Sequence, residues 1–150
     1  MNISQNSVCD NLLFLLFICL DLLDLSGNVI YEVFEHSVSR SFVDYEFIGI
    51  HMLQISGFRV VFNTTKSVGQ RIQSLQIKID DEQYENVQQH KFYTLIVPSF
   101  LASGGDGFTM IKAQKKNHRI GLLDIDLMEA HIAAKSPINF KETGRIIMLT

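Results

Sequence analysis

The 150-residue sequence is short of several things, and each shortage closes off a class of protein. It holds two cysteines, Cys9 and Cys19, too few for a disulfide framework or a zinc-ligand pattern. That count is compatible with one bridge or with two thiols. Basic residues are missing from the start of the chain: no Lys or Arg precedes Arg40, while Asp10, Asp21, Asp24, Glu32 and Glu35 all fall there. With a formal net charge of -3, the chain lacks the basic footprint of a nucleic-acid binder. It also lacks an apolar run of membrane-spanning length. Its most apolar stretch, NLLFLLFICLDLLDL at residues 11 to 25, is broken by Asp21 and Asp24 and falls short of the ~20 apolar residues a spanning helix needs. No transmembrane segment is expected. The stretch lacks the basic leader and a clear small-residue cleavage site of a signal peptide, so a buried strand or helix is the preferred reading and a targeting segment the alternative. GRIIMLT at the C-terminal end shows no hydrophobic tail for a lipid anchor, and the chain has no internal repeat or low-complexity tract.

What is present describes a globular domain. A hydrophobic fraction of 47% with 19% charged residues supports a sizeable core at this length. In NVIYEVFEHSVSR, residues 28 to 40, Val29, Ile30, Val33, Phe34, Ser37 and Val38 share one helical face. Ser26-Gly27-Asn28 offers capping chemistry, and Glu32 and Glu35 are expected in the early helix. HMLQISGFRVVFN, residues 51 to 63, alternates Phe58, Val60 and Phe62 against Arg59, Val61 and Asn63, with Gly57 marking a bulge or bend. IQSLQIKID, residues 72 to 80, sets Leu75, Ile77 and Ile79 on one face of a second strand. Residues 80 to 89 read as a polar turn. FYTLIVPSF, residues 92 to 100, reads as a strand buried on both faces and limited by Pro98. KAQKKNHR reads as a basic connection. DIDLMEAHIAAK, residues 124 to 135, is a helix with Asp124 at its cap, a core stripe of Ile125, Met128 and Ile132, and a stop at Pro137. GRIIML is a last short strand. The expected class is α+β, a mixed β-sheet with flanking helices. Residues 1 to 26 are expected to be an apolar N-terminal segment and residues 27 to 150 the domain.

The chemistry concentrates in SFLASGGDGFTMIK, residues 99 to 112. No Gly-Lys-Ser/Thr follows, so it is not a Walker A loop, and its glycine spacing is not that of a dinucleotide fingerprint. One reading is a tight turn in which Asp106 bonds its own backbone. The other is a ligand loop: glycines admit a flat ligand, Phe100 offers a stacking face and Asp106 accepts hydrogen bonds from hydroxyls. Asp124 and Asp126 are explained by helix capping rather than by a metal. His36, His51, His90, His118 and His131 are scattered and show no paired-ligand spacing. Lys112, Lys115, Lys116, His118 and Arg119 read as a solvated run, with phosphate steering as the alternative. No nucleophile, base and oxyanion donor come together in the sequence.

Five segments, in order and spacing, carry a resemblance: FEHSVSR (34 to 40), LQISGFRVVFN (53 to 63), VPSFLASGGDGFTMIK (97 to 112), DIDLMEAHI (124 to 132) and GRI (144 to 146). Together they resemble the C-terminal, substrate-binding domain of the 5'-nucleotidase and apyrase family, and the glycine segment is the most specific. The resemblance implies a domain that holds a nucleotide or nucleoside by stacking its base between two rings. Catalysis would lie in an upstream metallophosphatase domain with two divalent, zinc-type metal ions. Phe100 matches one ring, Asp106 the carboxylate that bonds the ribose hydroxyls, and Gly104 and Gly105 the floor beneath. The second ring falls at Met52, which is not aromatic and packs on a base more weakly; Phe47 is a nearby substitute. The family's loop Asn is Ser103, and LLFICL stands where the family has a Pro-Phe-Gly-Asn-like segment. The family's metal ligands, and the Arg and Asn that also grip substrate, have no counterpart here. The resemblance therefore implies no cofactor and no catalytic residue in this chain, and an extracellular or cell-surface location. A stand-alone nucleoside-binding module and a degenerate, non-binding domain are the alternatives.

Overall fold

The structure is a computed structural model and describes residues 18–39, 42–43, 46–47, 52–80, 83–139 and 144–150. Residues 11 to 17 of the apolar run lie outside that set, as do the side chain of Phe47 and residue His51. The elements in chain order are β1 (Leu20–Ser26), α1 (Gly27–Ser39), β2 (Phe42–Val43), β3 (Glu46–Phe47), β4 (Phe58–Asn63), β5 (Ile72–Lys78), β6 (Tyr84–Asn86) and β7 (Phe92–Pro98). There follow α2 (Ser99–Ala102), a turn at Gly105–Gly107, α3 (Thr109–Gln114), β8 (Lys116–Arg119), α4 (Asp124–Lys135) and β9 (Ile146–Leu149).

Two sheets form the frame. An antiparallel sheet has the order β7-β1-β8, and a second sheet has the order β6-β5-β4-β9. In the second sheet β9 runs parallel to β4 while the other pairs are antiparallel, so the sheet is mixed, as expected. The apolar run becomes β1, the central strand of the first sheet, paired with β7 through Leu20↔Pro98 to Ser26↔Phe92. Its alternation buries Asp21, Leu23 and Leu25 on one face. The last part of the apolar segment thus shares its sheet with residues from 92 onward.

Helix α1 packs against β1, β5 and α3, in contact with both sheets. The six residues expected on its inner face are the ones buried, together with Gly27. Phe34 meets Phe58 of β4 with ring centroids 5.4 Å apart, and Val60, Phe62 and Leu75 complete that side of the core. Each large apolar side chain fully buried there stabilises the fold by about 1.5–3 kcal/mol. The first turn of α1 is satisfied from a distance. The Gly27 and Asn28 N–H groups donate to the carbonyls of Lys91 and Gln89, each at 2.9 Å. A Cβ on Gly27 would stand 2.1 Å from the Gln88 carbonyl oxygen, so the chain passes too closely for any side chain. Glu32 and Glu35 lie beyond that first turn. Glu35 Oε1 accepts the Ile72 N–H at 2.7 Å, and Arg71 Nη1 donates to the Val38 carbonyl at 2.9 Å. These bonds tie the N-terminal end of α1 to the turn before β7 and its C-terminal end to the start of β5.

Several expectations are corrected. Residues 84 to 86 form β6 and residues 116 to 119 form β8, where the polar sequence reads as connections. Strand β5 ends at Lys78, leaving Ile79 exposed. β7 is buried on one face only: Tyr93 is inside while Phe92 and Ile96 are exposed. Helix α4 spans the expected residues, but Ile125, Met128 and Ile132 are exposed and no residue in it is buried. Its N-cap position is Leu123, not Asp124. Asp124 Oδ1 instead accepts the N–H groups of Ile18 and Ile125. Among the described residues, no helix is long and apolar enough to cross a membrane.

Candidate functional site

The glycine segment folds as two short helices around a turn. β7 ends at Pro98, and α2 starts at Ser99. The Gly104 N–H bonds the Leu101 carbonyl and the Ser103 hydroxyl bonds the Phe100 carbonyl, which closes α2. Gly104, Asp106 and Gly107 then have φ of 91°, 51° and 81°. These are left-handed conformations, natural to glycine and tolerated by Asp among side-chain-bearing residues. The Phe108 N–H returns to the Gly105 carbonyl at 3.0 Å, and α3 follows.

The turn is held by its surroundings rather than by the Asp106 carboxylate. His36 Nε2–H, from α1, donates to the Asp106 carbonyl at 2.9 Å. The same imidazole meets the edge of the buried Phe108 ring at 4.6 Å. A Cβ on Gly107 would stand 3.0 Å from that imidazole, so glycine permits the approach. Lys115 Nζ donates to the Ala102 carbonyl at 2.7 Å, which ties α2 to the end of α3. The basic residues Lys115, Lys116 and His118 thus all have local partners: a carbonyl, the Phe92 ring and a carboxylate.

Four of the predicted site residues sit together. The Phe100 ring lies across Gly105, where an added Cβ would come within 2.4 Å of the ring Cζ. The ring is 52% exposed. Asp106, the next residue, is exposed, and Gly104 and Gly105 are half-buried. Met52 is half-buried and packs against the hydrophobic core. Residues 53 to 58 line a cleft of about 610 Å³ together with Pro98 and Leu101, but neither Met52 nor Phe100 lines it.

A cluster that sequence spacing did not reveal lies behind α2. Asp21 of β1 is 3% exposed. Its Oδ1 accepts the Ser99 hydroxyl at 2.5 Å and its Oδ2 accepts His118 Nε2–H at 2.6 Å. Burial pushes its pKa up, but the bonds from Ser99, His118 and the Gly121 backbone outweigh this and hold it below the ordinary value. The only signal in the sequence was an acid inside an apolar strand. Its partners lie 78 and 97 residues away. Among the described residues, no three His, Cys, Asp or Glu converge as metal ligands.

Residues 5–113 match the family model described as "5'-nucleotidase, C-terminal domain". The chain is 43% identical over 129 residues to an apyrase of Tabanus yao, covering 84% of this chain and 23% of that protein. It is 34% identical over 129 residues to a 5'-nucleotidase of Homo sapiens, covering 84% of this chain and 22% of that protein. The chain therefore spans less than a quarter of the length of these relatives. Among solved structures it resembles a 5'-nucleotidase precursor from Thermus thermophilus, with a TM-score of 0.79 and 27% identity, over 88% of this chain and 25% of that one.

Proposed function

Since the chain belongs to the 5'-nucleotidase C-terminal domain family, we propose that it is the nucleotide-holding part of a 5'-nucleotidase or apyrase that converts nucleotides to nucleosides and phosphate. The nucleoside base rests on Phe100, and Asp106 accepts hydrogen bonds from the ribose hydroxyls. Gly104 and Gly105 let the ligand approach the backbone. The observation that carries this reading is the half-exposed Phe100 ring seated over Gly105, one residue before an exposed carboxylate. On this reading hydrolysis is the work of a metallophosphatase domain that would partner this one, as the family resemblance implies. The venom 5'-nucleotidases among its relatives favour an extracellular setting.

Met52 favours a second reading, a degenerate domain that folds but does not bind a nucleoside. It offers a flexible thioether packed against the core where the family resemblance expects a ring. An adenosine titration followed by NMR separates the two readings. The first expects shifts at Gly104 and Gly105 that weaken sharply in Phe100→Ala and Asp106→Ala. A flat titration of the parent chain, or variants that bind as tightly as it does, would overturn the assignment.

A further inference from the structure

Helix α2 carries Phe100 yet is only four residues long, and no side chain caps it. A helix this short does not hold its own conformation. Its orientation must come from outside ties, and the tie nearest Phe100 is Ser99. The Ser99 N–H donates to the Cys19 carbonyl at 2.8 Å, and its hydroxyl donates to the buried Asp21. The other oxygen of Asp21 is held by His118 on β8, the opposite neighbour of β1 in the sheet. The β8 strand is shaped for this. Its pairing with β1 slips between Leu22 and Asp24, Asn117 has φ 49°, and Asn117 Nδ2 donates to Asp24 Oδ2 at 2.6 Å.

We propose that Asp21 and His118 are positioning residues for Phe100, fixing through Ser99 how the ring lies over the glycine turn. A buried carboxylate that loses one of its donors is left undercompensated and reorganises toward those that remain. With the imidazole gone, Asp21 is left with Ser99 and the Gly121 N–H it already accepts; it re-aims between them, and the Ser99 hydroxyl shifts toward its other acceptor, the Cys19 carbonyl at 3.1 Å. The β1 and β7 backbones, paired over seven residues, stay where they are. The effect of His118 is thus felt at α2 rather than in the core. The consequence for nucleoside binding rests on the proposed function; the consequence for the ring does not.

The test uses the whole chain and reads the Gly105 Hα resonances, which the Phe100 ring current displaces. Phe100→Ala supplies the zero of that displacement. His118→Ala is expected to lose most of it, while the methyl resonances of Leu23 and Ile111 stay in place. His118→Gln, whose amide N–H stands where the imidazole Nε2–H stood, is expected to restore it. Adenosine affinity should fall about tenfold in His118→Ala, as for loss of a hydrogen bond to a charged group, and recover in His118→Gln. A parent-like Gly105 shift in His118→Ala overturns the inference, as does a loss that Gln fails to rescue. If His118→Ala does not fold, Ser99→Ala tests the link itself: loss of the Gly105 displacement is expected, and a parent-like Gly105 shift overturns the inference. If Phe100→Ala binds adenosine like the parent while the Gly105 shift still collapses in His118→Ala, the nucleoside reading fails and the positioning stands.

Discussion

At Gly105 a single methyl group separates folding from binding. The added Cβ of Gly105→Ala would stand 2.4 Å from the Phe100 ring, so the ring must leave. Because that ring is half-exposed, it can swing into solvent at little cost. We expect stability to stay within about 0.5 kcal/mol of the parent, while adenosine binding loses the worth of a base stack, about 1–3 kcal/mol. Thermal unfolding and an adenosine titration on the same sample check both halves; an unchanged affinity removes Phe100 from the site. Asp21 predicts a pH dependence. Its folded pKa lies below its ordinary value of 3.8, so between the two values the unfolded chain binds the proton that the folded chain refuses. The resulting stability is present above the ordinary value and is lost as pH falls through the folded one. Urea midpoints should therefore drop as the solution is acidified below about pH 5. Asp21→Asn should be less stable at neutral pH and show a shallower acid limb. Asp24, also held low by Asn117 and Thr94, is only half-buried and contributes less to that limb.

Elements were legible where one periodicity dominated. Helix α1 and strand β4 present clean 3.6- and 2-residue patterns, and their inner faces match residue for residue. β6 and β8 are short, polar edge strands, and edges carry no apolar alternation to read. α4 shows the opposite failure: its ends were readable from Asp124 and Pro137, but its apolar residues have no core to enter. The tight turn was legible in the glycines themselves; the roles of Phe100 and Asp106 come from family resemblance alone. The support beneath the turn was not legible, because His36, Asp21 and His118 reach it from distant parts of the chain. The contrast between β4 and α4 is measurable. Phe62 is 1% exposed in β4, and Phe62→Ala should cost about 3–5 kcal/mol. Met128 is 58% exposed in α4, and Met128→Ala should stay within about 0.5 kcal/mol. A large loss from the second substitution would mean that α4 is covered in solution.

For the whole molecule, the proposed function separates holding a nucleotide from hydrolysing it. Phosphate-ester hydrolysis of this kind draws on metal ions that activate water and stabilise both the attacking and leaving oxygens. The chain spans less than a quarter of the Tabanus yao apyrase and of the Homo sapiens 5'-nucleotidase. On the proposed reading, which assigns the chemistry to a partner domain, the purified chain is expected to release no phosphate from AMP, with Zn²⁺ or Mn²⁺ added. Joined to a metallophosphatase domain of its family, it should support hydrolysis, and Phe100→Ala should then act chiefly on KM. A ring that stacks on the base binds ground state and transition state alike, because the base takes no part in the reaction, so its loss leaves kcat nearly unchanged. Steady-state kinetics on the joined protein decide this. Efficient hydrolysis by the chain alone would move the chemistry into it. A fall in kcat at constant KM would mean that Phe100 acts on the reacting phosphate's alignment rather than on the hold of the nucleoside.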